Sequence, residues 1–386
     1  MLTRTEEVTD LVAEVAATAR EHAEATDRDA AFPVAALDAL RRTRLLGLTV
    51  PREYGGMGKS VPDLLAVAGA LSRECMSVGM IFAMHCQQVA AVVDHGSEQL
   101  RADVLPRVSS GAVYLASVTT EAGSGGHLLS SDSELVRDRS VLRVERFAPV
   151  VTGGAYADGF LITMRAPDSA SPAAVSLVYA DRSQVEAVVT GPWQPMGMRA
   201  THSVPMKIVG ELPDRQVVGA HGQFREIALR TFGPLAHLGW ASCWLGTADG
   251  ALARTVRLLR AERGRRNLSS DLLLRRLSRV RQRLDTVHAL IQHASQVWLA
   301  RPDDVVESPS QLLLNAVKIT SSEQCLAAVD ELVELVGLRH GYLRDSALRL
   351  ERALRDLRSA TLNYSNDRLH AAGGALVLMD RDVQHV

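Results

Sequence analysis

Residues 112–120 read AVYLASVTT, and at this point the chain changes character. The run is short, apolar and rich in β-favouring side chains, follows Ser109-Ser110-Gly111 and ends on two threonines, so it predicts a strand over 112–119. Upstream the pattern is helical. Val8, Leu11, Val12 and Val15 fall at i, i+3, i+4 and i+7, one face of a helix. The segment 33–46 repeats that kind of spacing, and 63–73 and 78–93 are helical runs rich in Ala, Leu and Met. Between them PREYGGMG (51–58) is a loop broken by three glycines. Downstream, short apolar runs at 140–144, 160–164, 174–179, 185–189 and 205–209 are bounded by Gly, Pro, Asp or Ser and predict an antiparallel unit, a small barrel or sandwich. From 222 onward the helical pattern returns, over 222–259, 272–298, 311–336 and 346–362, with Pro309 near a helix start. The order gives an α+β chain: helices over 1–111, a β unit over 112–220 and a helical bundle over 221–386.

Composition narrows the function classes. With 386 residues the chain is long for one core. Hydrophobic residues make up 47 % and charged residues 23 %, as in soluble globular proteins. The net charge of -1 gives no global pull toward nucleic acid or membrane. No apolar run is read as reaching the roughly 18 residues needed to span a bilayer, and the N-terminal stretch lacks the apolar core of a signal peptide. The four cysteines, Cys75, Cys86, Cys243 and Cys325, show no C-x-x-C spacing. They read as reduced, buried thiols, which fits the cytoplasm, and no metal-ligand cluster is evident.

Four motifs, in order and in register over roughly 40–360, resemble those of the acyl-CoA dehydrogenase family. They are Pro51-Arg52-Glu53-Tyr54-Gly55-Gly56-Met57-Gly58; Thr119-Thr120-Glu121-Ala122-Gly123 at a strand end; Met196-Gly197-Met198-Arg199-Ala200-Thr201 with the strand after it and Val217-Val218-Gly219; and Leu350-Glu351-Arg352 with Arg355-Asp356. The resemblance implies an N-terminal helical domain, a central β-barrel and a C-terminal four-helix bundle. It also implies FAD held between barrel and bundle with help from a neighbouring subunit, hence a homodimer or homotetramer. The implied reaction removes hydrogens from the α and β carbons of an acyl thioester on CoA or a carrier protein, with electrons passed to or from a flavoprotein or reductase partner.

The same resemblance assigns roles to residues. Ser117, Thr119 and Thr120 would meet the flavin edge, which requires backbone donors and a hydroxyl rather than flexible side chains. An ordinary strand end explains them as well. Phe147 would pack on the flavin ring and Thr152 donate to it, although Pro149 intrudes and Gly153 replaces the family's asparagine; a Gly-rich hairpin is the plainer reading. Gly125 lies in a glycine loop whose N–H groups could cradle a phosphate. Glu121 and Arg199 fall in motifs near the substrate. Eleven arginines and few acids occur from Arg254 to Arg283. Among them Arg263 matches the arginine that reaches the FAD pyrophosphate, and a solvated helix face is the alternative for the run.

The main departure is the catalytic base. The family's glutamate position falls on Tyr364 and the flavin-contacting threonine on Asn366. The alternative glutamate position falls near Ala236, beside His237. A base must reach the α-carbon proton, so Tyr364, His237 and Asp367 become the candidates. The implied activity is thus FAD-dependent dehydrogenation with a non-standard base. A flavin monooxygenase using reduced FMN or FAD and O₂ on the same fold, or a non-catalytic scaffold, are the alternatives.

Overall fold

A computed structural model describes residues 4–121, 128–300, 308–379, 383, 385 and 386. Eleven α-helices are present among them: α1 (Arg4–Asp29), α2 (Val34–Arg42), α3 (Val61–Ser72), α4 (Met76–His95), α5 (Glu98–Ser109), α6 (Phe224–Ile227), α7 (Gly233–Ala261), α8 (Asp271–Ala300), α9 (Ser308–Gly337), α10 (Leu350–Arg358) and α11 (Asn366–Met379). Eight strands separate the two helical groups: β1 (Leu115–Val118), β2 (Val136–Asp138), β3 (Val141–Val151), β4 (Gly159–Arg165), β5 (Val175–Asp181), β6 (Val185–Val189), β7 (Val204–Pro213) and β8 (Val217–Val218). The chain forms two compact units, Met1–Leu64 with Ile81–Gln194 and Arg199–Ala236, and Leu65–Met80 with Pro195–Met198 and His237–Val386.

The first unit carries both sheets. Their strand orders are β1-β4-β5-β8 and β2-β3-β7-β6. Pairing is antiparallel except that β1 runs parallel to β4, from Leu115 opposite Gly159 to Val118 opposite Ile162. This corrects the expectation of a wholly antiparallel unit: some 40 residues separate the two strands, enough for a crossover connection. The longest ladder joins β3 to β7 and contains a bulge between Ala148 and Val151. Along β3, Leu142, Val144, Arg146 and Ala148 are buried, whereas Arg143, Glu145 and Phe147 are exposed, the period of two a half-buried strand requires. A core of Val89, Val92, Leu100, Val104, Leu115, Leu161 and Leu177 packs α4 and α5 on the first sheet. In α1, Val12 and Val15 of the predicted face are buried and Val8 and Leu11 half-buried, and Ala19 and Ala23 extend the buried stripe.

The loop at 51–58 owes its glycines to a tight return. N–H groups of Met57, Gly58 and Lys59 donate to the carbonyls of Gly47, Val50 and Leu48. A side chain on Gly56 would bring its Cβ to 2.2 Å from the Val50 carbonyl, and Gly55 has φ +80°. One helix departs from expectation: α4 is long and apolar enough to cross a membrane by length and composition, with mean hydropathy 1.5. Its 18-residue window is 83 % buried by other parts of the protein, so packing accounts for its character.

In the second unit α7, α8 and α9 are long helices of 29, 30 and 30 residues. Helix α3 crosses α7 closely, since a Cβ on Gly246 would lie 2.1 Å from the Gly69 carbonyl oxygen. Part of the arginine run pairs α8 with α9: Arg276 meets Glu334 at 3.2 Å and Arg279 meets Glu331 at 3.1 Å. Those arginines hold helices together rather than present a bare cationic face.

Candidate active site

Strand β1 is the end strand of its sheet, so one row of its backbone groups faces away from the ladder. Ser117 is almost buried, and among the described residues its hydroxyl and that of Thr119 have no partner within the chain. Unpaired hydroxyl donors at the end of a rigid strand belong to the donor set that a flavin ring edge takes. Thr120 differs. Its hydroxyl donates to the Val150 carbonyl at 2.9 Å and faces the Val150 N–H at 3.3 Å, which spends it on joining β1 to β3. Thr152 likewise pairs with Ser203 at 2.9 Å, and Ser203 with Thr201 at 2.8 Å. Phe147 stands on the outer face of its sheet, 44 % exposed, because the alternation of β3 turns Arg146 inward and Phe147 outward.

Arg146 is buried, a residue absent from the sequence-based candidates. It forms an ion pair with Glu121 and donates to the Thr120 carbonyl at 3.0 Å. The Glu121 carboxylate also accepts from the backbone N–H of Asp132 at 3.0 Å and of Ser133 at 2.9 Å. Burial pushes this carboxyl upward, but bonds from Ser133 and Arg146 outweigh it and hold Glu121 below the usual range. Glu121 therefore braces the strand end. Gly125 lies outside the described residues.

Arg199 is committed elsewhere as well. Its guanidinium donates to the carbonyls of Asp27 at 2.6 Å and Arg28 at 3.1 Å, the last turn of α1. A cation there complements the helix dipole. The guanidinium thus docks the end of α1.

The second unit holds the other cluster. His237, on α7, is buried, and its Nδ1 lies 3.2 Å from the Leu314 carbonyl oxygen of α9. A carbonyl only accepts, so Nδ1 carries the proton and Nε2 keeps its lone pair, for which the described residues offer no partner. Burial lowers this imidazole to about 4, the Leu314 carbonyl opposing and the Lys318 charge adding to the shift. The ring is therefore neutral at pH 7. The Tyr364 ring lies 6.5 Å away, on a residue with the left-handed φ of +55° and 39 % exposed. Asp367 opens α11 on its solvent side and does not join them.

His85 in the first unit gives the contrast. It is equally buried and held near 4, chiefly by burial, but Nε2 donates to Leu46 O at 3.0 Å and Nδ1 accepts from Leu115 N at 3.0 Å. Both nitrogens are spent, so His85 is a pin and His237 retains a free base atom.

Asn366 is buried and occupied. Its Oδ1 accepts from Lys318 Nζ at 2.7 Å, and its Nδ2 donates to Ser322 at 3.0 Å and Glu323 at 3.2 Å. Its side chain thus anchors the start of α11 on α9. Sequence reading passed over Lys318, although a lone lysine in the apolar run LLLNAVKIT was the available signal. Arg263 sits in the exposed turn after α7, with no partner among the described residues.

Comparisons with known proteins fit this arrangement. Residues 4–112 match the family described as acyl-CoA dehydrogenase, N-terminal domain, and residues 234–363 match acyl-CoA dehydrogenase, C-terminal domain. An acyl-CoA dehydrogenase of Bacillus subtilis (strain 168) is 23 % identical over 354 residues, 90 % of each chain. The L-prolyl-[peptidyl-carrier protein] dehydrogenase of Pseudomonas fluorescens is 25 % identical over 308 residues, 76 % of this chain and 78 % of that one. The crystal structure of dibenzothiophene monooxygenase (TdsC) from Paenibacillus sp. A11-2 superposes with a TM-score of 0.84 at 21 % identity, covering 96 % of this chain and 97 % of the other, a likeness of fold. Two family domains matched in their expected order, on a chain whose strands lie between two groups of helices, place the chain in the acyl-CoA dehydrogenase family, as a flavin-dependent oxidoreductase.

Proposed function

We propose that this protein dehydrogenates the α,β bond of an acyl thioester, with FAD as its flavin and His237 as the base. The observation that carries the reading is the state of His237: neutral, with its tautomer fixed by Leu314 and Nε2 unpaired. The motif resemblance puts Tyr364 at the position of the family's glutamate, and His237 is the neighbouring residue equipped to act as the base in its place. A flavin, when bound, would supply the acceptor for the β-hydride. Ser117 and Thr119, at the end of β1, would hold its ring. His237 Nε2 takes the α-proton, and the Leu314 carbonyl then stabilises the imidazolium through Nδ1–H.

The relatives' names support a thioester, carried by CoA in one and by a peptidyl-carrier protein in the other. Exposed apolar side chains on α11, with Leu378 90 % and Met379 68 % exposed, support a homo-oligomer. The test is anaerobic titration of the flavin-loaded protein with CoA and carrier-protein thioesters. Bleaching of the flavin band supports dehydrogenation; an unchanged band across both classes refutes it.

A second reading has one observation behind it: the His237–Tyr364 pair contains no carboxylate, and a monooxygenase needs none. Oxygen consumption with chemically reduced FMN or FAD, without bleaching by thioesters, would favour it.

A further inference from the structure

Lys318 is fully buried near the middle of α9, and no carboxylate lies within ion-pair distance of it among the described residues. Its ammonium has one hydrogen-bond partner, Asn366 Oδ1 at 2.7 Å, and stands 5.7 Å from the centre of the Trp244 ring. A lysine in such a place is costly, because a buried cation loses its hydration and one neutral amide and a ring return only part of it. A methionine would fill the volume more cheaply, so a charge at this position points to work that depends on it. Asn366 shows what that work is. It lies two residues beyond Tyr364, and its own backbone N–H closes the turn on Thr361 O at 3.1 Å. Tyr364 sits within that turn in a conformation that L-residues avoid. The strain persists only if both ends of the turn are fixed. On one side Ser359 bonds back to Asp356 at 2.7 Å. On the other the anchor is Asn366, held by Lys318, Ser322 and Glu323.

We propose that Lys318 is a positioning residue for the base: through its hydrogen bond to Asn366 it holds the turn that keeps Tyr364 beside His237. This rests on the reading of His237 given above. The groups facing the imidazole are Lys318 and the Leu314 carbonyl from α9, Trp240 from its own helix and Tyr364 from the turn. Those facing Lys318 are Glu323 on the same helix, Asn366 on α11, and Trp244 and His237 on α7. Burial lowers the ammonium to about 8, and the Glu323 charge opposes the shift. The clamp therefore carries its full charge below that value and weakens above it, while His237 is already neutral throughout. The expected consequence is an upper pH limit on turnover set by loss of the clamp rather than by the base.

The experiment is histidine-selective NMR on the full-length, flavin-loaded protein and on its Lys318→Met and Lys318→Arg variants, with folding checked by circular dichroism. In the parent protein the His237 ring, 6.5 Å from that of Tyr364, is expected to show a nuclear Overhauser contact to it and to titrate well below an ordinary imidazole, because it is buried. Lys318→Met is expected to lose the contact and to raise the His237 titration by about half a unit or more, because a nearby positive charge is gone. Lys318→Arg, which keeps charge and donor, should retain the contact. A folded Lys318→Met protein with both signals unchanged overturns the proposal. If that variant does not fold, Asn366→Ala severs the same bond and leaves the lysine in place; loss of the contact supports the clamp, and its survival overturns it. Neither readout uses substrate, so a clamp that behaves as described in a protein whose flavin no thioester bleaches would refute the reaction and leave the positioning role standing.

Discussion

Asp356 accepts a hydrogen bond of 2.6 Å from the backbone N–H of Met198, which precedes it by 158 residues. The bond joins the M-G-M-R motif to the R-D motif of α10. Arg355 reinforces it by donating to the Met196 carbonyl at 2.9 Å, and a Cβ on Gly197 would lie 2.0 Å from the Arg355 carbonyl oxygen. Two separate sequence signatures are thus the two halves of one lock. Asp356→Ala removes this acceptor from the buried Met198 N–H and is expected to cost about 1–3 kcal/mol. Asp356→Asn keeps an oxygen in place and should cost less. Urea unfolding midpoints of the two variants make the comparison, and equal stabilities would mean that the bond contributes nothing.

Replacing His237 with Gln keeps much of the volume and removes the base. The rate of flavin reduction by a reactive thioester should fall by about 10²–10⁴-fold, the usual contribution of a general base. Flavin affinity should hold, since His237 lies on α7 and bonds to α9. Tyr364→Phe should lose less than about tenfold, because a neighbouring phenol orients rather than abstracts. Anaerobic stopped-flow absorbance gives both numbers. Reduction by His237→Gln at the parent rate would move the base to another residue.

Acid should destabilise the protein earlier than its carboxylates alone would dictate. His85 and His237 are both held near 4 in the folded chain against an ordinary 6.5. Between those values the unfolded chain binds more protons, so stability is complete above about 6.5 and is lost as pH falls toward 4. From pH 7 to pH 5 the loss is about 2 kcal/mol for each histidine. Glu121, held below its usual value, adds a loss of the same sign at lower pH. Chemical unfolding at pH 7, 6 and 5 tests this, and a His85→Gln variant, which cannot charge, should show a shallower decline. A flat profile in the parent protein would contradict it.

The fold was legible because its elements repeat their own periods. The buried stripe of α1 and the strand over 185–189 lie where their spacing puts them. Short elements were not: β2 and β8 have three and two residues, too few to show a period. Helix α5 carries Pro106 in its last turn, and α11 follows a left-handed residue that breaks the pattern ahead of it. The site was legible only in outline. Sequence marks Thr120, Thr152 and Asn366 as polar residues in the right segments, yet cannot say that their side chains are already spent on Val150, Ser203 and Lys318. Hydrogen-bond commitment is a property of the folded neighbourhood, and Lys318 and Arg146 were missed for the same reason: their meaning comes from burial.

Arg199 separates motif from role. Its place beside Gly197 and Met198 suggested substrate, but its guanidinium caps the last turn of α1 through the carbonyls of Asp27 and Arg28. Charge-assisted bonds of this kind contribute about 1.5–3 kcal/mol each when well ordered, and a cation at a helix C-terminus adds a few tenths to one kcal/mol. One of the two bonds is exposed, so Arg199→Ala should cost about 2 kcal/mol in all. The loss should be local, appearing in hydrogen exchange as reduced protection of the last turns of α1. Arg199→Lys should recover only part of it, since an ammonium cannot span two carbonyls as a planar fork does. In the same variants the KM for a thioester should stay within twofold of the parent value. A KM raised tenfold or more, with α1 protection intact, would return Arg199 to the substrate and remove it from the fold.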